Sequence, residues 1–223
     1  MNLYLSVLKN SPLFKGIAEK NINDILKCLS SYTKTYEKDE YIFNNGDYIA
    51  HIGLVLYGSI YIIKEDFWGN RSIISKFSAG DIFAETYACL NTEPLGVSVV
   101  SAEKVEVMFL DIKEIMSLSS HCKFHPIIMG NLLNIVSAKN LILSRKIDHI
   151  TKRSTRGKIL SYLSSQSILN SKDAFEIPFN RQQLADYLSV DRSAMSKELS
   201  LLQREGILEF KKNKFRLLKN NNY

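Results

Sequence analysis

Cysteine is scarce in this chain: three in 223 residues, at Cys28, Cys89 and Cys122. An odd, scattered set builds no disulfide framework and fits a reducing cytoplasm. Three thiols also fall short of the four that hold an iron–sulfur cluster within one chain. Histidine is nearly as rare, with four residues. Only His51 lies within 32–110, so the histidine cluster of a cupin-like metal enzyme cannot form there. No glycine-rich phosphate loop or Ser/His/Asp set is evident. An enzyme is therefore not expected, no catalytic residue is assigned, and the cofactor is left unknown. No apolar run looks long enough to span a bilayer, and no basic start leads into an apolar segment. Neither a membrane partner nor a secretion signal is expected.

One histidine pair remains. His121-Cys122-Lys123-Phe124-His125 sets two imidazoles four residues apart, the spacing of two ligands on one helical face. Nothing nearby supplies further ligands, so no metal residue is assigned. Metal- or haem-dependent sensing stays as an alternative.

Charge is unevenly spread. Residues 151–223 hold 14 Lys and Arg against 7 Asp and Glu, a net +7, while residues 1–150 hold 15 against 16, a net −1. A basic segment beside a near-neutral one is the footprint of a nucleic-acid binder. General solubility would not segregate charge in this way.

The chain changes character along its length. Residues 3–31 carry apolar groups at helical spacing, broken near Ser11-Pro12 and Gly16, which predicts two short amphipathic helices. Residues 32–110 are rich in Ile, Val, Tyr and Phe and punctuated by glycine, which predicts an antiparallel roll or barrel. Asn45-Gly46 and Trp68-Gly69-Asn70 read as hairpin turns. Asp111, with Glu114 three residues on, reads as a capping box.

A long helix is predicted after Pro126. Met129, Leu133, Val136, Asn140, Leu143, Ile147 and Ile150 alternate spacings of four and three. With Leu133 at a, Asn140 also falls at an a position, where a single amide fixes register in a two-stranded coil. The repeat favours a homodimer seam, with Leu132, Ile135 and Ile142 covering the roll. The alternative is a helix that only packs its stripe on the roll. Lys152-Arg153-Ser154-Thr155 reads as a hinge, with Ser154 or Thr155 capping a helix to Leu169.

Residues 180–206 read as two helices joined by a tight turn. Asn180 and Gln183 form the first cap, Leu188-Ser189-Val190 the turn, and Asp191 the second cap. In the second helix Met195, Leu199 and Leu202 form a core stripe. Arg192, Ser193, Ser196, Lys197 and Ser200 lie opposite, where short side chains let a helix sit deep in a major groove and cations reach base edges. A capped hairpin alone could be an ordinary solvated one. The segment beyond Gly206 argues otherwise: Ile207–Phe210 and Lys214–Leu218 flank Lys211-Lys212-Asn213, a two-stranded wing with a basic tip suited to phosphate. Arg192, Ser193, Ser196 and Lys197 are thus the base-proximal candidates, and Arg181, Lys211 and Lys212 the phosphate candidates.

Arg181–Leu188, Val190-Asp191-Arg192-Ser193 and Leu201–Leu208 resemble the winged helix of the Crp/Fnr family of bacterial transcription regulators. Gly80-Asp81-Ile82-Phe83-Ala84-Glu85 resembles that family's roll, and the order of segments agrees along nearly the whole chain. The resemblance implies an α+β protein: an effector or sensor domain with an antiparallel, jelly-roll-like β-roll over 1–125, a dimerisation helix over 126–150, and a winged helix-turn-helix domain over 151–223. It implies a cytoplasmic homodimer on palindromic double-stranded DNA, with RNA polymerase and a small-molecule effector as further partners. It also places an effector pocket at Glu85, Thr86 and Tyr87.

Departures are informative. Ser189 and Ala84 stand where relatives carry glycine. Cyclic-AMP-binding members follow the Glu with an Arg-Ser-Ala segment, the Arg pairing with the cyclic phosphate. Here Pro94-Leu95-Gly96-Val97-Ser98 has no arginine, and a buried phosphate without a cation is costly. Poor cyclic AMP binding is expected, and Glu85 is equally readable as the first residue of a short helix.

Overall fold

The computed structural model describes residues 4–65, 68, 71–90, 92–116 and 123–218. The chain forms two compact units, Met1–Ala138 and Lys139–Tyr223.

The first unit opens with helix α1 (Leu5–Asn10), a 3-10 turn (Pro12–Phe14) and helix α2 (Glu19–Cys28), as the apolar spacing predicts. Eight strands follow: β1 (Tyr32–Tyr36), β2 (Tyr41–Phe43), β3 (His51–Tyr57), β4 (Ser59–Glu65), β5 (Arg71–Ser78), β6 (Ile82–Phe83), β7 (Ser98–Ser101) and β8 (Val105–Asp111). A short helix α3 (Glu85–Leu90) interrupts them. They form two antiparallel four-stranded sheets, β1-β8-β3-β6 and β2-β7-β4-β5.

Strand β3 is buried from Ile52 to Leu56 because both its faces are covered. Ile52, Leu54 and Leu56 join Met108, Leu110 and the residues of α1 and α2 in one core. Val55 faces a second core with Val107, Phe109, Phe83, Ile60 and Val99. Successive strand residues point to opposite faces, so Gly53 shares the face of Val55. A Cβ on Gly53 would clash with the tip of the Phe83 ring, 2.1 Å from its Cζ.

The Asn45-Gly46 turn is present, with Gly46 at φ 92° and Asp47 N–H donating to the Asn44 carbonyl. It does not close a hairpin, however. Its flanking strands belong to different sheets, and β2 pairs with β7. The second expected turn lies largely outside the described residues, between the paired ends Glu65 and Arg71. Asp111 caps helix α4 (Ile112–Met116) through the Lys113 N–H at 2.8 Å.

Helix α5 (His125–Ile150) is the long helix expected after Pro126. Ile128 and Leu132 are buried in the first unit's core, with Met129, Ile135 and Val136 packed against it. Leu133, Leu143 and Ile147 stand 66%, 60% and 56% exposed. Ile142, expected to cover the roll, is 58% exposed instead. The expectation that no stretch could span a bilayer also needs correction. The helix has 26 residues, and an 18-residue window within it reaches a mean hydropathy of 1.4. Length and composition alone are weak grounds for a span, and Asn131, Asn134, Lys139 and Asn140 punctuate this helix.

The second unit continues with α6 (Thr155–Asn170), β9 (Ala174–Glu176), α7 (Arg181–Leu188), α8 (Arg192–Arg204), β10 (Leu208–Lys211) and β11 (Lys214–Leu217). Ser154 caps α6 by accepting from Gly157 N–H. The wing has three strands rather than two: β9 pairs with β11, placing Phe175 opposite Phe215. One core gathers Ile159, Tyr162 and Leu163 of α6, Leu184 and Leu188 of α7, Met195, Leu199 and Leu202 of α8, and Leu208 and Phe215 of the wing.

Candidate nucleic-acid interface

The helix pair α7–α8 is fixed at both ends by local chemistry. The Asn180 side chain accepts from Gln183 N–H, and the Gln183 side chain accepts from Asn180 N–H, each at 2.9 Å. Asp191 caps α8 by accepting from Ala194 N–H at 2.9 Å. Its carboxyl also accepts from the Ser193 hydroxyl at 2.5 Å, which holds its pKa below the usual carboxylate range.

Between the helices, Ser189 N–H donates to the Asp186 carbonyl and Val190 N–H to the Ala185 carbonyl. That is the Schellman pattern, which needs a left-handed residue at its centre. Ser189 supplies it at φ 52°. Ala84, at φ 65°, likewise holds a left-handed conformation where the resemblance puts glycine. Each costs about 1–2 kcal/mol relative to glycine's freedom there.

Helix α8 divides into two faces as its spacing predicts. Met195, Leu199 and Leu202 are fully buried. Arg192, Ser193 and Lys197 are exposed, and Ser196 is partly so. Among the described residues neither Arg192 nor Lys197 pairs with a carboxylate. The Ser196 hydroxyl donates to the Arg192 carbonyl at 2.8 Å, and that of Ser200 to the Ser196 carbonyl at 3.0 Å. These serines keep their outer faces small and present oxygen acceptors.

In the wing, Lys211 and Lys212 are exposed at the turn, with Lys212 at φ 57°. Lys214 and Arg216 lie near Glu176 and Glu209, each at 3.9 Å. Arg181 behaves differently from a free surface cation. Its guanidinium lies 4.6 Å from the Phe210 ring centroid and 5.1 Å from that of Phe215. Burial lowers its pKa, and its Nη2 is buried with no hydrogen-bond partner among the described residues. Arg181 therefore braces α7 against the wing by stacking on aromatic faces.

Sequence reasoning missed Arg156. On α6 it forms a fork with Glu205 (3.1 and 2.5 Å) and reaches Glu198 at 3.4 Å, tying α6 to α8. No local pattern announces this pairing, because its members lie more than forty residues apart.

At the end of α5, His149 is 5% exposed. Its Nδ1 lies 2.9 Å from Ser161 Oγ, and its ring meets Tyr162 edge-on at 5.7 Å. Burial lowers its pKa below 6.5; Lys152 and Arg145 push the same way and Asp148 opposes. A histidine held neutral in the fold contributes stability that is fully present above the unfolded value. That stability is lost as pH falls through about 6.5, because the unfolded chain then binds a proton the folded one refuses. The thermal midpoint should therefore drop more steeply from pH 7 to pH 5 in the native chain than in His149→Gln. Equal slopes would deny this role.

The candidate effector residues do not converge. Glu85 is 4% exposed, Thr86 is exposed, and the Tyr87 hydroxyl accepts from Gly96 N–H at 3.4 Å. Consecutive helical residues point about 100° apart, so these three cannot share one face. Opposite them, Leu95 is buried in the core and Ser98 accepts from Asn45 N–H. His121 and Cys122 lie outside the described residues, and His125 Nε2 is 2.5 Å from the Ile115 carbonyl. Among the described residues no three His, Cys, Asp or Glu cluster as metal ligands would.

A capped helix pair, a basic wing and an eight-stranded roll define a winged-helix regulator with a sensor-type roll. Residues 33–122 match the cyclic nucleotide-binding domain, and residues 157–220 match the Crp-like helix-turn-helix domain. The chain belongs to the Crp/Fnr family of transcription regulators. Among solved structures it is similar to the catabolite activator protein of Thermus thermophilus, at 20% identity, TM-score 0.51, and 93% and 94% coverage of the two chains. It is similar also to CLP, the c-di-GMP responsive global regulator of Xanthomonas campestris (19%, 0.54, 91% and 100%). A CooA variant from Carboxydothermus hydrogenoformans shares 16% identity, with TM-score 0.54 and 87% and 85% coverage. Comparison with curated protein sequences finds no match.

Proposed function

We propose that this chain acts in the cytoplasm as a homodimer that reads a near-palindromic operator in double-stranded DNA. Residues 1–125 serve as the sensor, 126–150 as the dimerisation helix and 151–223 as the reading domain. The observation that carries this reading is the polar face of α8, with Arg192 and Lys197 exposed beside short serines and opposite a fully buried stripe. Arg192, Ser193, Ser196 and Lys197 meet base edges in the major groove and Lys211 and Lys212 meet phosphates, while Arg181, stacked inward on Phe210 and Phe215, holds α7 against the wing instead of contacting DNA. In the dimer, Met129, Leu133, Val136, Asn140, Leu143 and Ile147 form the seam, and the two α8 helices enter successive grooves about 34–36 Å apart.

A small effector other than cyclic AMP biases two arrangements related by rotation near 152–155, and RNA polymerase is the protein partner on DNA. Buried Leu95 in the segment where relatives carry an arginine supports a pocket unfit for a cyclic phosphate.

The reading is tested by titrating DNA duplexes with two variants. Arg192→Ala should relax sequence preference by about 1–3 kcal/mol, and Lys212→Ala should weaken all sequences alike while lowering the salt slope by about one. If neither changes binding, the assignment of faces is wrong.

A further inference from the structure

The turn between α7 and α8 lacks the glycine that its left-handed geometry favours, yet it forms. Two long cations on the first turn of α6 reach this helix pair. Lys158 Nζ donates to the Ser189 carbonyl at 3.2 Å, on the left-handed residue itself. Two residues earlier, Arg156 forks onto Glu205 at the end of α8 and touches Glu198 at its middle. Gly157 between them is packed close to the cap, where a Cβ would stand 3.2 Å from Ser154 Oγ. The same turn of α6 thus holds the turn before the reading helix and the helix's far end. It also begins directly after residues 152–154, within the expected hinge.

We propose that Lys158, with Arg156, is a positioning residue for groove reading. Lys158 stabilises the left-handed Ser189 from outside and so sets the angle at which α8 leaves α7. Arg156 fixes the rotation of α8 about its own axis. Neither cation serves as a phosphate contact. The inference rests on the DNA-reading assignment above and assigns work to two residues that the assignment leaves out.

The test uses the full-length protein and the duplex it selects best from a randomised pool, against a scrambled duplex of equal length. Lys158→Met should lower the ratio of selected to scrambled affinity about fivefold, as loss of one ordinary net hydrogen bond at an exposed turn would. Scrambled-duplex affinity and the salt slope should stay as in the native chain. Ser189→Gly should restore the ratio in the Lys158→Met background, because glycine holds the turn without help. Lys158→Arg should keep it. A phosphate contact would instead weaken both duplexes alike, lower the salt slope and ignore Ser189→Gly, and that result overturns the proposal. So does an unchanged ratio in Lys158→Met. Thermal unfolding of the native chain, the Lys158→Met and Ser189→Gly variants and their combination adds a DNA-free measure. Lys158→Met should destabilise the native chain more than it destabilises the Ser189→Gly variant, and additivity would also overturn the proposal. A native chain that selects no duplex at all would sink the DNA-reading assignment, and the positioning role with it.

Discussion

Replacing Leu143 and Ile147 together by glutamate is expected to convert the protein to a monomer and cut operator affinity by about a hundredfold or more. Both side chains stand more than half exposed in the single chain, so the substitution removes only a minor share of what the protomer itself buries. Exposed changes of this kind alter protomer stability by about 0.5 kcal/mol or less. In a paired helix the same two positions fall at d and a, where four carboxylates would face one another without water. Two half-sites then bind two independent monomers, and the gain from linking them is lost. Sedimentation and a DNA titration on one sample read both effects. Scrambled-duplex affinity per wing should change little. A variant that stays dimeric would show that the seam lies elsewhere, and one that is monomeric yet binds the operator normally would deny that pairing matters. Asn140→Leu offers a contrasting check: it should tighten the pair while loosening its register, since an amide at that position selects alignment at a cost in stability.

Much of this was readable because it is local. Caps at Asn180 and Asp191, the stripe Met195–Leu199–Leu202 and the length of α5 depend on residues within a few positions of each other. What escaped is set by distant partners. Strand β9 has three residues and no periodicity; it exists because Phe175 finds Phe215 across the sheet. Asn45-Gly46 announces a turn, but which strand pairs with β2 is decided by β7, some fifty residues on. Arg181 was legible as a cation at a helix start. That its guanidinium stacks on Phe210 and Phe215 follows from the wing folding back over α7. The trio Glu85, Thr86, Tyr87 was adjacent in sequence, and adjacency on a helix separates side chains instead of gathering them.

Gly53→Ala should destabilise the roll strongly. The added carbon would stand 2.1 Å from Cζ of the Phe83 ring, which is 1% exposed and cannot swing into solvent. Strand β3 cannot retreat either. It is paired on one side with β8 and on the other with β6, whose register sets Gly53 directly opposite Phe83. Overpacking a well-filled core costs about 1–3 kcal/mol, and a site closed on both sides belongs at the upper end. The loss should appear as a lower midpoint in thermal or denaturant unfolding. Phe83→Leu alone should also destabilise, by leaving a cavity where the ring stood. Combined, the two should cost less than their sum, because the smaller side chain makes room for the methyl. Phe83 immediately precedes the left-handed Ala84 and the buried Glu85, so a shift of its backbone would be felt where the chain enters α3. Additive losses in the double variant would mean that the ring yields independently of Gly53.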